Sequence, residues 1–530
     1  MADNFRILLS DSLSQQGLEV FNRYPALQVD SRTGLKPAEL AAIIGDYDAL
    51  VVRSATRVTR EIIDHAERLR VIGRAGVGVD NIDLEAATRR GIVVMNSPLG
   101  NSVTTAEHTI TMMMALARHI PAANAAVRAG RWERSRFTGI EVCNKTLGVI
   151  GLGNIGRIVA DRAQGLKMKV IGFDPILTAE AAARIGVEIV GLDELFRRAD
   201  FITVHAPLTA ETRGLIGAAA IEKMKPGVRI LNCARGGIVD EKALADGLRS
   251  GKVGGAALDV FVEEPPPKDH PLLAFDNVVA TPHLGAATDE AQIQVAIDIA
   301  QQIAEFLLEG VISHSVNMPA LSPKELETLG PHLKLAEKLG RLAAQIIPAA
   351  PTALVVGLGG EAAVLRPEPI TAAALKGLLS GYLDQEFNFV NAPFIARERG
   401  ISVTESRSRE TTDYINTITL AVRSAGGRHE VAGAVTGRAI RLIRIDGYRI
   451  ETVPEGYFLM LHNRDVPGVV GAVGTMLGQS GINIAGLELG RDRVGGTALS
   501  LVELDEPAPP AVIERLKTIP AITSATLLKL

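Results

Sequence analysis

Three side chains in this 530-residue chain are of types that together move a proton and a hydride: Arg235, Glu264 and His283. Arg235 follows Asn232-Cys233-Ala234 and precedes two glycines, Glu264 opens a proline run, and His283 follows Thr281-Pro282. Oxidising a secondary alcohol by hydride transfer needs a base for the hydroxyl proton and a cation for a neighbouring carboxylate. Histidine is a base near neutral pH, and a carboxylate on its other ring nitrogen fixes the tautomer and raises the basicity. An arginine fork grips a carboxylate with two parallel hydrogen bonds. Taken singly, a histidine after proline is an ordinary structural hydrogen bonder, and an arginine before Gly-Gly an ordinary solvated turn. Their order behind a dinucleotide motif is what gives them weight.

That motif is Gly151-Leu152-Gly153-Asn154-Ile155-Gly156, which follows the apolar run Leu147–Ile150 and opens a helical pattern from Arg157. The first glycine permits the tight turn, the second lets a pyrophosphate approach the backbone, and the third packs helix on strand. Free N–H groups at the helix start then face the phosphates. Asp174, at the end of the next strand, accepts hydrogen bonds from ribose hydroxyls and repels a 2′-phosphate, so NAD is expected rather than NADP. Two look-alikes are set aside. Gly357-Leu358-Gly359-Gly360-Glu361-Ala362 is soon followed by Pro367 and Pro369 and reads as a structural turn. Gly247–Val253 mimics a phosphate loop but is one residue short and lacks the magnesium-binding hydroxyl.

The elements that must hold these residues alternate regularly. Over residues 5–97, apolar runs (Phe5–Leu9, Leu27–Val29, Ala49–Val52, Val71–Ile72, Ile92–Met95) are separated by helical patterns, which predicts a parallel sheet covered on both faces. A long Ala/Met-rich helix is expected from Asn101 to about Arg128. A second strand–helix run follows, closed by a helix over Asp289–Leu308. Beyond residue 319 the texture changes to helices over Pro331–Ile346 and Thr371–Leu383. A Thr/Val/Ile-rich run, Ile401–Thr452, comes next, with hairpin signals at Gly426-Gly427 and Asp446-Gly447. The last segment reads as βαββαβ, a ferredoxin-like order.

Composition closes off other classes. The chain is 47% hydrophobic and 22% charged with net charge −4, which excludes wholesale disorder. Only 4% is aromatic, so a basic stripe interleaved with stacking rings has little material, and no nucleic-acid partner is expected. Two cysteines, Cys143 and Cys233, point to a reducing, cytoplasmic setting. No metal-ligand spacing stands out. The start lacks the basic and apolar regions of a signal peptide. The charge-free stretch Leu342–Gly360 is broken by Pro348, Pro351 and glycines and reads as a helix end, a turn and a buried strand, so no membrane association is expected.

The segments Leu147–Gly156, Asn232–Asp240, Asp259–Pro265 and Pro282–Ala286 resemble the signatures of the D-isomer-specific 2-hydroxyacid dehydrogenases, over roughly residues 1–318. The resemblance implies Arg235, Glu264 and His283 as the catalytic set, with Glu264 preferred to Glu263 because it stands immediately before proline. It implies Gly151, Gly153, Asn154, Ile155, Gly156, Asp174, Cys233, Ala234, Asp259 and Gly285 as cofactor contacts. Arg53-Ser54-Ala55-Thr56, the Gly73–Asp83 loop and Asn101-Ser102 resemble the branch of that family acting on D-3-phosphoglycerate, implying Arg53, Arg74, Asn101 and Ser102 as substrate contacts. The loop Gly130–Arg134 is similar to one that reaches a neighbouring subunit's active site, implying a substrate role for Arg134, while Trp132, the only tryptophan, reads by itself as a dimer-interface anchor.

Residues 456–530 resemble an ACT domain, a small-molecule sensor, implying Asn463, Asp465 and Asn483 as contacts for an effector such as L-serine across a domain pair. Residues 319–452 resemble the extra domain of the long form of that branch. The expected class is thus α/β, with two Rossmann- or flavodoxin-like parallel-sheet domains, then an α+β intervening domain, then a ferredoxin-like ACT domain. The expected boundaries are 1–98 with 285–318 for substrate, 99–284 for NAD, 319–454 and 455–530. The reaction implied is NAD-dependent oxidation of D-3-phosphoglycerate to 3-phosphooxypyruvate at the head of serine biosynthesis, by a homo-oligomer of two or four subunits. Competing readings are a non-phosphorylated 2-hydroxyacid dehydrogenase or glyoxylate reductase, and an NAD-sensing corepressor or scaffold.

Overall fold

The computed structural model describes residues 4–383, 385–410 and 413–530. The first five apolar runs form a parallel sheet in the spatial order Leu27–Ser31, Phe5–Leu9, Ala49–Val52, Val71–Arg74, Val93–Asn96. All four residues of Ala49–Val52 are buried, as a strand covered on both faces requires. One cover comes from far along the chain. The helix Asp289–Glu309, capped by Thr288 and ended by Gly310 in the left-handed region, places Val295, Ile299 and Ile303 in the core with Ile7, Leu9 and Val51.

The second sheet has seven parallel strands, in the order Val278–Ala280, Val253–Leu258, Val228–Asn232, Phe201–Val204, Thr146–Ile150, Lys169–Phe173, Glu188–Ile189. The chain reverses its direction of travel across this sheet between Thr146–Ile150 and Phe201–Val204. A crevice opens at such a switch point, outside the carboxyl ends of the strands. The single helix expected from Asn101 is two, Ser102–Ala117 and Ile120–Arg128. His119 sits in the left-handed region between them (φ 52°), and Pro121, which has no N–H to donate, occupies the first turn of the second.

A six-stranded sheet follows: Ser402–Ser408, Pro351–Gly360, Asn416–Ser424, Gly427–Thr436, Ala439–Ile445, Tyr448–Thr452. All its pairs are antiparallel except the first, which is parallel. Both hairpin signals hold, the second with Asp446 and Gly447 at positive φ. Gly357 and Gly359, expected in a turn, lie inside the strand Pro351–Gly360 and pair on both sides; the turn begins only at Gly360 (φ 63°). The long covering helix starts earlier than its proline suggests, at Pro323. Ser322 and Glu325 form a capping box there that outweighs the break at the internal Pro331. Its partner helix, Pro367–Leu379, likewise starts and ends earlier than expected.

The last sheet is antiparallel, in the order Ile484–Arg491, Thr497–Leu504, Tyr457–Arg464, Ile522–Lys529, with helices Val469–Gln479 and Pro510–Leu516 on one face. This is the expected ferredoxin-like arrangement. Its other face is buried too: Phe458, Met460, Leu499 and Leu528 share one core with Leu335, Leu339 and Leu342 of the helix Pro323–Ile346.

Candidate active site

The strand Thr146–Ile150 delivers the chain to Gly151 at φ 90°, a conformation that L side chains rarely adopt. A Cβ on Gly156 would collide with the Gly151 carbonyl, whereas Gly153, at the start of helix Asn154–Gly165, has open space before it. Backbone N–H groups therefore face an uncovered concavity, which suits a pyrophosphate. Asp174 braces the turn. One carboxylate oxygen accepts the Leu152 N–H at 2.8 Å, the other those of Ile176 and Leu177. Burial pushes its carboxyl up, but these three bonds outweigh it and hold the group below the usual range. The residues present fit a dinucleotide.

The turn opens on a cleft of ≈ 410 Å³ whose walls include Arg74, Asn101, Cys233, Ala234, Arg235 and His283. His283 takes φ 55° and is pinned by its N–H to the carbonyls of Asp259 and Thr281. Its Nδ1 meets Glu264 Oε2 at 2.7 Å, and Glu264 Oε1 accepts the Phe261 N–H. The bond to Glu264 raises the imidazole pKa against the opposing effect of burial. For Glu264, burial acts upward but is outweighed by the bonds from His283 and Phe261, which leave the carboxyl low. This leaves Nε2 of a strengthened base for chemistry.

Asp259, 1% exposed, underlies the loop. It accepts from Thr281 Oγ1 and Leu284 N–H on one oxygen and from Gly285 N–H on the other. His108 lies 3.2 Å from the first oxygen. Burial raises the Asp259 carboxyl, but its donors, His108 foremost, prevail and keep it charged.

Arg235 is aimed by the turn that carries it. Asn232 donates from its amide to the Arg235 carbonyl and accepts the Ala234 N–H. The guanidinium donates through Nε to Asp80 at 2.8 Å and through Nη1 to the Ala234 carbonyl. Arg74 is different: its Nε is buried with no partner, and burial together with the cations Arg235 and Arg53 lowers it to about 10. A charged group left in that state wants an anion. Asn101 Oδ1 is likewise buried and unpaired on the cleft wall.

The other expected contacts are placed as follows. Arg53 lines an adjoining notch with Ser12, Ser14 and Gln292. Ser102 is buried and turns its hydroxyl back to the Pro98 carbonyl. Arg134 is exposed in a short 3₁₀ turn and Trp132 is 78% exposed, neither lining the cleft of its own chain. Buried Cys233 has its thiol pushed up to about 12, so it stays protonated and acts as a small apolar wall. The cleft also contains His205, which sequence reasoning passed over; burial alone drops it to about 4, so it is neutral. Asp80 and His108 were missed too, because their partners lie far along the chain.

In the last domain Asn463 is buried, with its amide donating to the Arg464 carbonyl and accepting from Ser500. Asp465 accepts the Gly495 N–H, and Asn483 donates to Asp505. The three side chains are thus engaged with separate partners within the chain. Among the described residues no helix is long and apolar enough to cross a membrane.

Three family models match the chain: the D-isomer specific 2-hydroxyacid dehydrogenase NAD binding domain over residues 110–285, the D-3-phosphoglycerate dehydrogenase intervening domain over 328–446, and the ACT domain over 457–521. A D-3-phosphoglycerate dehydrogenase of Synechocystis sp. is 46% identical over 99% of this chain and 95% of its own. That of Archaeoglobus fulgidus is 44% identical over 99% and 100%. Among solved structures, D-lactate dehydrogenase from Aquifex aeolicus, complexed with NAD and lactic acid, superposes with a TM-score of 0.53 at 27% identity. It spans 59% of this chain and 100% of its own.

Proposed function

Because the chain belongs to the D-3-phosphoglycerate dehydrogenase family, we propose that Arg235, Glu264 and His283 carry out its NAD-dependent oxidation of D-3-phosphoglycerate, the entry to serine biosynthesis. The observation that carries the assignment is the 2.7 Å contact between His283 Nδ1 and Glu264 Oε2, at the rim of the cleft that also holds Arg235 and the glycine turn. The turn Gly151–Gly156 would hold NAD, which would supply the hydride acceptor for C2. His283 Nε2 takes the C2 hydroxyl proton, and Glu264 holds the tautomer and stabilises the imidazolium that results. Arg235, steadied by Asp80, presents its remaining N–H groups to the substrate carboxylate. The unpaired Arg74, with Arg53 and Asn101 beside it, supplies the positive end for the phosphate. With NAD bound, Asp174 would take the ribose hydroxyls, and buried Asp259, which underlies the His283–Gly285 loop, would supply a fixed negative charge nearby.

The reading divides the chain at 1–98 with 285–318, 99–284, 319–454 and 455–530. It takes the protein as a cytoplasmic homo-oligomer in which exposed Trp132 seats on a second copy and Arg134 reaches that copy's substrate. L-serine is its effector at the ACT domain. A substrate panel read as NADH production tests these points together. Turnover on D-3-phosphoglycerate is expected to exceed that on D-glycerate, to fall with added L-serine, and to vanish in His283→Ala. Equal rates on the two acids would favour a non-phosphorylated substrate, and turnover surviving in His283→Ala would remove it as the base.

A further inference from the structure

Glu264 stands in a loop with little to anchor it. Pro265, Pro266 and Pro267 follow it and bring no N–H donors, and Val262 is 64% exposed. Two consecutive N–H groups in the loop are nonetheless held by carboxylates. Phe261 donates to Glu264 itself, and Val262 donates at 2.8 Å to Glu241 Oε1. Glu241 is the first residue of the helix Glu241–Arg249, only a few residues beyond Arg235. Its other oxygen lies 3.1 Å from His270 Nε2, at the far end of the same loop. The Leu272 N–H is directed at His270 Nδ1, so Nε2 carries the proton and donates to Glu241. The Phe261 ring meets the His270 ring edge to face at 5.4 Å, and Gly236, beside Arg235, leaves no room for a Cβ against the Phe261 carbonyl.

We propose that Glu241, oriented by His270, is a positioning residue that locks the Phe261–Glu264 loop to the segment bearing Arg235 and so sets where Glu264 meets His283. Glu241 reaches neither the cofactor turn nor the reacting atoms; it acts through Glu264. The proposal rests on Glu264 being the partner of His283.

Steady-state kinetics on the full chain test it through a double-mutant cycle. Glu241→Ala is expected to lower kcat about tenfold, with the KM for NAD within about twofold, because a small misplacement of a catalytic group is costly. Glu241→Gln, which keeps an acceptor for Val262 but turns an NH2 toward the His270 Nε2–H, is expected to recover part of the loss, to within about threefold of wild-type kcat. In a Glu264→Gln background, Glu241→Ala is expected to cost less than about twofold more, since the residue it positions is already disabled. An equal loss in both backgrounds, or an unchanged kcat in Glu241→Ala alone, overturns the positioning role while leaving the Glu264–His283 pair intact. If Glu264→Gln itself leaves kcat unchanged, the pair and the proposal fall together. Should Glu241→Ala not fold, His270→Gln runs the same cycle, and a loss that persists in Glu264→Gln overturns the proposal.

Discussion

The 2.7 Å contact with Glu264 is the chief influence on how His283 titrates. Its pKa is raised above 6.5 chiefly by the bond to Glu264. The stability this gives the folded state is fully present below 6.5 and is lost as pH climbs through the raised value. The proposed role as base has the opposite need, since only the neutral imidazole can accept the substrate proton, so kcat/KM is expected to rise through the same interval. In Glu264→Gln the main raising influence is gone. The acid limb of the pH profile is then expected to move to lower pH, while the plateau drops by about tenfold or more. A limb that stays put in that variant would assign it to another group. The types and order of Arg235, Glu264 and His283 were legible in the chain because each follows a strand end in a glycine- or proline-marked turn. The state of Arg74 was not. That its Nε is buried without a partner, with the cations Arg235 and Arg53 nearby, depends on segments distant in sequence.

The elements divide by how local their causes are. The glycine turn after Thr146–Ile150 and the hairpin at Asp446-Gly447 follow from backbone conformations that only a few residue types adopt. The break at His119 and the early start at Pro323 arise from competition between helix propensity and a nearby proline or cap. Composition averaged over a long run conceals both. Packing of the helices Pro323–Ile346 and Pro367–Leu379 goes further, because Gly340 and Gly377 let their backbones touch. A Cβ on either would strike the carbonyl of Ala374 or Glu337 across the crossing. Gly377→Val is therefore expected to destabilise the chain by about 1–3 kcal/mol through forced separation of the helices. Denaturant unfolding would measure this, and a midpoint equal to wild type would show that the crossing tolerates the larger residue.

At the scale of the molecule the two C-terminal sheets are joined. The buried face of the last sheet packs on the helix Pro323–Ile346, and Gln345 makes a reciprocal pair of hydrogen bonds with the Lys529 backbone. Phe458, fully buried at that junction, should couple them. Phe458→Ala is expected to cost about 3–5 kcal/mol and to lower one shared calorimetric transition for both units. A split into two transitions would show that they unfold separately. The dinucleotide turn, the types of the proposed catalytic residues and the strand–helix rhythm were legible in the sequence alone, since these rest on local backbone sterics and periodic burial. The return of Asp289–Glu309 to the first sheet was expected from the chain's discontinuous domain division, whereas folding alone brings Asp80 to Arg235 and Glu241 to the loop of Glu264. Those pairings join residues with no local signal for one another, and their partners are chosen by the packing of the whole chain.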